Sequence, residues 1–316
     1  MISKKFIILI SIFYGYLVGV GLYGFSNDYY FEYYQSNLIY PKFYDKLGSL
    51  LSTLTIFNTH IGVYITSFVL ALSSGFLLRS FFVELKKKSL FAFTFIFLVT
   101  LHIHPVIMST SGAMRQGWAM SFIFFSIIMF LSGKNKLSFL FIFLSIFMHK
   151  SGLIFFTFYI SAHCISYVLQ KIKKKKNNII FLNLVGITIF LGSYLILLST
   201  GWTFNFHRIV AGDFRFAWLT INIFYLIFYF LTFNNKLPLK IKHLCLFLYV
   251  QACSAPAFFY SGLNWQYERV NMISAILLIL VIGSFFKNSF YLYLSIAMCT
   301  YLFLTIYQGM YLIGLT

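Results

Sequence analysis

The sequence predicts an all-α integral membrane protein: a polytopic helical bundle with about 10–11 transmembrane passes and a broken helical hairpin near residues 137–170. Three observations carry this. Of 316 residues, 60% are apolar and 9% charged, and the mean hydropathy is +0.87, which leaves too little polar surface to solvate a globule. The apolar residues come in runs close to the ~20 that cross a bilayer core. Sixteen of nineteen lysines fall in short clusters between those runs, and five of six acids fall in the other gaps, the positive-inside pattern. The chain is expected to form a single membrane domain over 1–316.

The elements follow in order. Lys4-Lys5 precede an apolar run, 6–25, that is long enough to span and has no small-residue cleavage site behind it, so a helix is expected and not a cleaved signal. The loop 26–59 comes next, and its part from Pro41 to Leu54 is mildly amphipathic, suited to lying on the membrane surface. Spans are then expected at 60–80, 89–109 and 113–131, with Lys86 to Lys88 in the first turn between them. The stretch from Leu137 to Gln170 has lysine clusters at both ends and must return to the side it left. It has 34 residues for this, where two full crossings want about 40. Because His149-Lys150-Ser151-Gly152 interrupts it, two short helices are expected, broken at that tetrapeptide. Further spans are expected at 178–200, 216–233, 243–260, 270–286 and 289–309. Counting the broken pair, this gives eleven passes, with the N-terminus inside and the C-terminus outside.

On this path the inner face carries seventeen basic residues and Glu84, while the outer face carries seven basic residues and five acids. A net charge of +18 would suit nucleic acid if it sat on one face. Here it is dispersed over five internal loops and both ends, so no nucleic-acid partner is expected. Cys164, Cys245, Cys253 and Cys299 lie inside apolar runs without CxxC spacing, which argues for packing and against zinc or disulfides.

Chemistry is expected on the outer face. Asp28, Glu32, Asp45, Asp213 and Glu268 lie there together with Arg115, Arg208, Arg215 and Arg269. Lysine supplies the inner loops, and the planar guanidinium that grips phosphate oxygens bidentately is kept for the outside. That asymmetry suggests an anionic ligand; snorkelling to lipid headgroups or local pairing with Asp213 and Glu268 is the other reading. Arg115 stands out. It opens an apolar helix in Gly112-Ala113-Met114-Arg115-Gln116-Gly117-Trp118, where a cation opposes the macrodipole unless an anion binds there. His149 and Lys150 lie between half-length apolar segments, as intramembrane functional groups do or as a polar hairpin tip does. The loop segment Asn27-Asp28-Tyr29-Tyr30-Phe31-Glu32-Tyr33-Tyr34 interleaves acids with tyrosines, which suits sugars; a headgroup-level aromatic belt would need the tyrosines without the acids. His102 and His104 near Pro105 carry no assignment. A Walker A lysine, HExxH, GxSxG and a metal-ligand cluster are all absent from the sequence.

Arg115-Gln116 opening an apolar helix, a short basic turn, a second apolar run and then His149-Lys150-Ser151 resemble the core of the EpsG/Wzy-type polysaccharide (O-antigen) polymerases. Asp28 among tyrosines and Arg269 at the head of a late helix are similar to that family as well. The resemblance runs over most of the chain, with its specific part at about residues 110–155. It implies a glycosyltransferase that joins undecaprenyl-diphosphate-linked repeat units at the outer face of the bacterial cytoplasmic membrane, with a chain-length regulator as protein partner. It also implies that Arg115, Gln116, Lys150 and Arg269 bind diphosphate, and that Asp28 contacts or activates the acceptor, with Glu32 and His149 as rivals. Arg208 and Arg215 join the basic set from loop chemistry. Basic side chains that stabilise a leaving diphosphate can replace a metal ion, so no metal or other cofactor is expected.

Two other classes share parts of this pattern. A flippase for the same lipid-linked oligosaccharide would want cations in a central cavity and an internal repeat. A membrane acyltransferase that decorates the glycan would want an intramembrane His such as His149, with a carboxylate partner.

Overall fold

A computed structural model describes residues 2–21, 46–56, 59–149, 151–172, 175–199 and 237–260, with Ile276. Within them the chain is helical: α1 Lys4–Gly19, α2 Lys46–Ser52, α3 Gly62–Glu84, α4 Leu90–His102, α5 His104–Ser111, α6 Met114–Leu131, α7 Asn135–Met148, α8 Ser151–Lys171, α9 Lys175–Ser199 and α10 Leu239–Tyr260. Between α2 and α3, a two-residue antiparallel ladder (β1, Thr55–Ile56; β2, Thr59–His60) pairs Thr55 with His60.

Four helical segments are long and apolar enough to cross a membrane: Gly62–Glu84, Met114–Leu131, Ser151–Lys171 and Asn178–Ile196. This is a helical membrane architecture. The expected spans at 216–233, 270–286 and 289–309 lie outside the described residues, as does most of the loop 26–59. The span expected at 243–260 corresponds to α10, which is not among those four segments.

The structure corrects two elements. The single span expected over 89–109 is two helices, α4 and α5, because Ile103 adopts an extended conformation (φ −74°, ψ 144°) between them. Pro105 explains the break: a proline inside a continuous helix would lack an N–H and collide with the carbonyl four residues back, whereas in a first turn its missing N–H costs nothing. The interruption expected in 137–170 is present, with α7 ending at Met148 and α8 starting at Ser151, but only α7 is short: α8 has 21 residues and is long enough to cross a membrane.

The described residues fall into two compact units, one running to Phe156 and the second starting at Thr157. In the first, α3 packs between α1 and α6, and α6 in turn packs against α7. Phe81, Phe82, Phe93, Phe97 and Phe124 fill its interior, and Phe82 meets Phe93 edge to face at 5.6 Å, a geometry that adds about 0.5–1.5 kcal/mol beyond area burial. Apolar burial gains little when the alternative solvent is lipid, so interhelical hydrogen bonds matter here. The Tyr14 hydroxyl of α1 donates to the Leu101 carbonyl of α4 (2.8 Å). Ser126 of α6 donates to the Ser138 carbonyl of α7 (2.8 Å) and lies 3.1 Å from its hydroxyl.

In the second unit α9 packs on α10, where the buried Tyr249 hydroxyl donates to the Leu182 carbonyl (2.9 Å). Leu184, Ile187, Leu191 and Leu195 on α9 are exposed, the side a bilayer would solvate.

Candidate functional site at the head of α6

The site begins at the α5–α6 turn. The backbone N–H of Gln116 bonds the Ala113 carbonyl (2.9 Å) and that of Gly117 does the same (3.1 Å), closing the first turn without a side-chain cap. From Met114 to Ser121 every residue is buried apart from Arg115, which is half-buried. Gly117 makes this possible. A Cβ there would collide with the Ser109 carbonyl of α5 and come within 3.2 Å of Thr66 Cγ2 on α3. The glycine thus lets α5 and α3 close on the head of α6, with Gln116 buried to 1% exposure beside it.

The α7–α8 break sits at the same end of the first unit. Met148 packs with Trp118 and Ala119 in one apolar cluster, and higher in the hairpin Phe141 faces Phe122 and Phe125. In that antiparallel register one further residue, His149, comes level with the Gln116–Trp118 turn. Its backbone is extended (φ −163°, ψ 147°), and its side chain is 3% exposed.

The orientation of His149 follows from its bonds. The Ser151 backbone N–H donates to its Nδ1 (3.2 Å), and the Ser151 hydroxyl lies 2.8 Å from the same atom. An amide N–H can only donate, so Nδ1 is an acceptor and the neutral ring carries its proton on Nε2. His149 therefore caps the start of α8 through Nδ1, with its proton on Nε2.

Above this end lies α2, which contacts α3, α6 and α7. Gly48 faces inward and a Cβ there would strike the Met148 carbonyl oxygen. Leu51 packs against the Trp118, Ala119 and Met148 cluster, while Leu47 and Leu50 are exposed. The segment 46–52 of the amphipathic stretch thus rests on the head of the bundle.

Three polar groups that sequence reasoning passed over are found here. The side-chain Ser52 Oγ, Thr66 Oγ1 and Trp118 Nε1 are inaccessible and have no hydrogen-bond partner among the described residues. A buried polar group left unsatisfied costs about 1–3 kcal/mol. Sequence offered little warning, because serine and threonine in apolar helices ordinarily bond the carbonyl one turn back, as Ser74, Thr100 and Ser121 do.

Of the predicted site residues, Arg115, Gln116 and His149 are brought to one end of the first unit. Asp28, Glu32, Lys150, Arg208, Arg215 and Arg269 lie outside the described residues. His102 is exposed on α4, its Nδ1 2.7 Å from the Leu98 carbonyl. The second unit holds an unpredicted ring cluster, Tyr159 edge-on to His163 at 4.4 Å and His163 tilted against His243 at 4.2 Å between centroids. No group of three or more His, Cys, Asp or Glu able to hold a metal occurs among the described residues. At the α3–α4 turn, partial burial pushes the Lys87 ammonium down to about 8. No known protein family, curated protein or solved structure matches the chain.

Proposed function

We propose that the chain is a polymerase of lipid-linked oligosaccharides, with eleven passes, its lysine-rich face in the cytoplasm and the head of α6 at the outer face of a bacterial cytoplasmic membrane. The observation that supports this best is that the α6–α7 packing brings the turn carrying Arg115 and Gln116 and the break carrying His149 to one end of a helical membrane unit. A guanidinium on a half-buried residue, a buried amide and an imidazole protonated on Nε2 are groups that can donate to a diphosphate, whose oxygens are acceptors only.

The reaction assigns each group a task. An acceptor hydroxyl on the incoming repeat unit attacks the anomeric carbon of the growing glycan; the bond from that carbon to the carrier diphosphate breaks, and its electron pair leaves on oxygen. Arg115, with Lys150 and Arg269 expected beside it, holds the diphosphate and stabilises the charge that develops there. His149, with Nδ1 occupied by Ser151, donates from Nε2 to a phosphate oxygen, which leaves the acceptor proton to Asp28 or Glu32. Arg208 and Arg215 add to the basic field around the lipid carrier.

The test is reconstitution. Lipid-linked oligosaccharide that accumulates in a strain lacking the gene, supplied to the purified protein in nanodiscs without nucleotide, is expected to become longer lipid-linked chains with release of undecaprenyl diphosphate. Transfer of the same lipid between leaflets without elongation would establish the flippase reading in its place.

A further inference from the structure

We infer that the packed underside of α2, where it meets α3 and α6, becomes the glycan subsite of this centre: Trp118 Nε1, Thr66 Oγ1 and Ser52 Oγ bind hydroxyl groups of the sugar next to the diphosphate, and α2 is the cover that lifts to admit it. This rests on the polymerase reading for the identity of the ligand. The three polar atoms are fully inaccessible and lack protein partners among the described residues, on three elements that contact one another, α2, α3 and α6. Thr66 lies against Gly117, one residue from Trp118 and two from Arg115. Trp118 can only donate and the two hydroxyls can donate or accept, a set that matches the mixed donor and acceptor character of vicinal sugar hydroxyls. The indole adds a flat apolar face of the kind a pyranose stacks on.

The cover is built to detach. α2 is seven residues long, and the inward positions described are Gly48, Leu51 and Ser52, while Leu47 and Leu50 are exposed. Among its described side chains the inward contacts are the half-buried Leu51, the buried Ser52 and the seat of Gly48 on Met148. In this seated arrangement Ser52 Oγ, Thr66 Oγ1 and Trp118 Nε1 have no partner among the described residues. A hydroxyl-bearing ligand relieves that defect, so the open, loaded arrangement is favoured by the same groups that weaken the closed one.

The experiment reads Trp118 alone. With Trp202→Phe, Trp218→Phe and Trp265→Phe in the full-length protein in nanodiscs, the emission of Trp118 is followed during titration with undecaprenyl diphosphate, and separately with the lipid-linked repeat unit from the deletion strain. The inference expects a spectral shift with the sugar-bearing lipid only. It also expects Thr66→Val, a substitution of equal volume, to raise the half-saturating concentration of that lipid about tenfold while leaving competition by undecaprenyl diphosphate unchanged. Equal shifts from both lipids would overturn the glycan assignment. Arg115-dependent binding of both lipids with no response at Trp118 would overturn this inference and leave the polymerase reading standing. Failure of either lipid to bind would remove the polymerase reading and the subsite with it.

Discussion

Gly48 of α2 lies directly against the main-chain carbonyl oxygen of Met148, the residue before His149. The contact ties α2 to the α7–α8 break, so the position of the His149 imidazole depends on a residue about a hundred positions earlier in the chain. Gly48→Val is expected to lift α2 or shift Met148 and to shorten the glycan product severely, while Leu50→Ala, on the exposed side of the same helix, leaves chain length unchanged. Chain-length profiles of the two variants at equal membrane abundance decide this; a normal profile for Gly48→Val would show that the contact has no part in activity.

His149 holds the start of α8 through Nδ1, and the proposed function gives Nε2 a second role that substitution can separate from the first. Asn places an acceptor near Nδ1 and can still cap α8 through the Ser151 N–H, whereas Gln reaches toward Nε2. His149→Asn is expected to keep thermal stability within about 0.5 kcal/mol and to lose polymerisation. If His149→Asn polymerises normally, the ring serves the helix start only.

The Ser126–Ser138 bond joins α6 to α7 across an otherwise apolar hairpin. Ser126→Ala is expected to destabilise the protein by about 0.6 kcal/mol, and by no more than about 1.7 kcal/mol, the range for such bonds within membranes. Unfolding of the detergent-solubilised variant against the parent measures it. A much larger loss would show a repacking of the hairpin.

Lys87 gives stability a pH dependence. Its folded value of about 8 lies below the ordinary 10.5 because burial disfavours the cation. The unfolded chain therefore holds the proton more tightly between those values, and stability rises with pH across that window. The relative gain is complete above 10.5 and is lost as pH falls through about 8. The difference in melting temperature between the parent and Lys87→Met is expected to change over pH 8 to 10.5 in the parent's favour. A difference that stays flat over that range contradicts the assignment.

How much was legible in sequence depends on whether a feature is written in neighbouring residues. The break at His149-Lys150 was readable because a charged pair interrupts an apolar run flanked by lysines. The break at Ile103 was missed because the hydropathy of 89–109 continues through Pro105, whose effect is on backbone geometry alone. Arg115 announced itself as a cation where a helix start disfavours one. Thr66 and Ser52 did not, since only the folded packing shows that they lack the carbonyl partners that Ser74 and Ser121 find. The seat of Gly48 on Met148 was invisible for the same reason, being a contact between distant parts of the chain.

Arg115 is the residue on which the proposed diphosphate site depends most directly. In a strain whose only copy of the gene carries Arg115→Ala, with the protein inserted at parental abundance, the account predicts that long chains vanish and lipid-linked single repeats accumulate at the outer leaflet, with partial recovery in Arg115→Lys. A parental ladder of chain lengths from Arg115→Ala would contradict it.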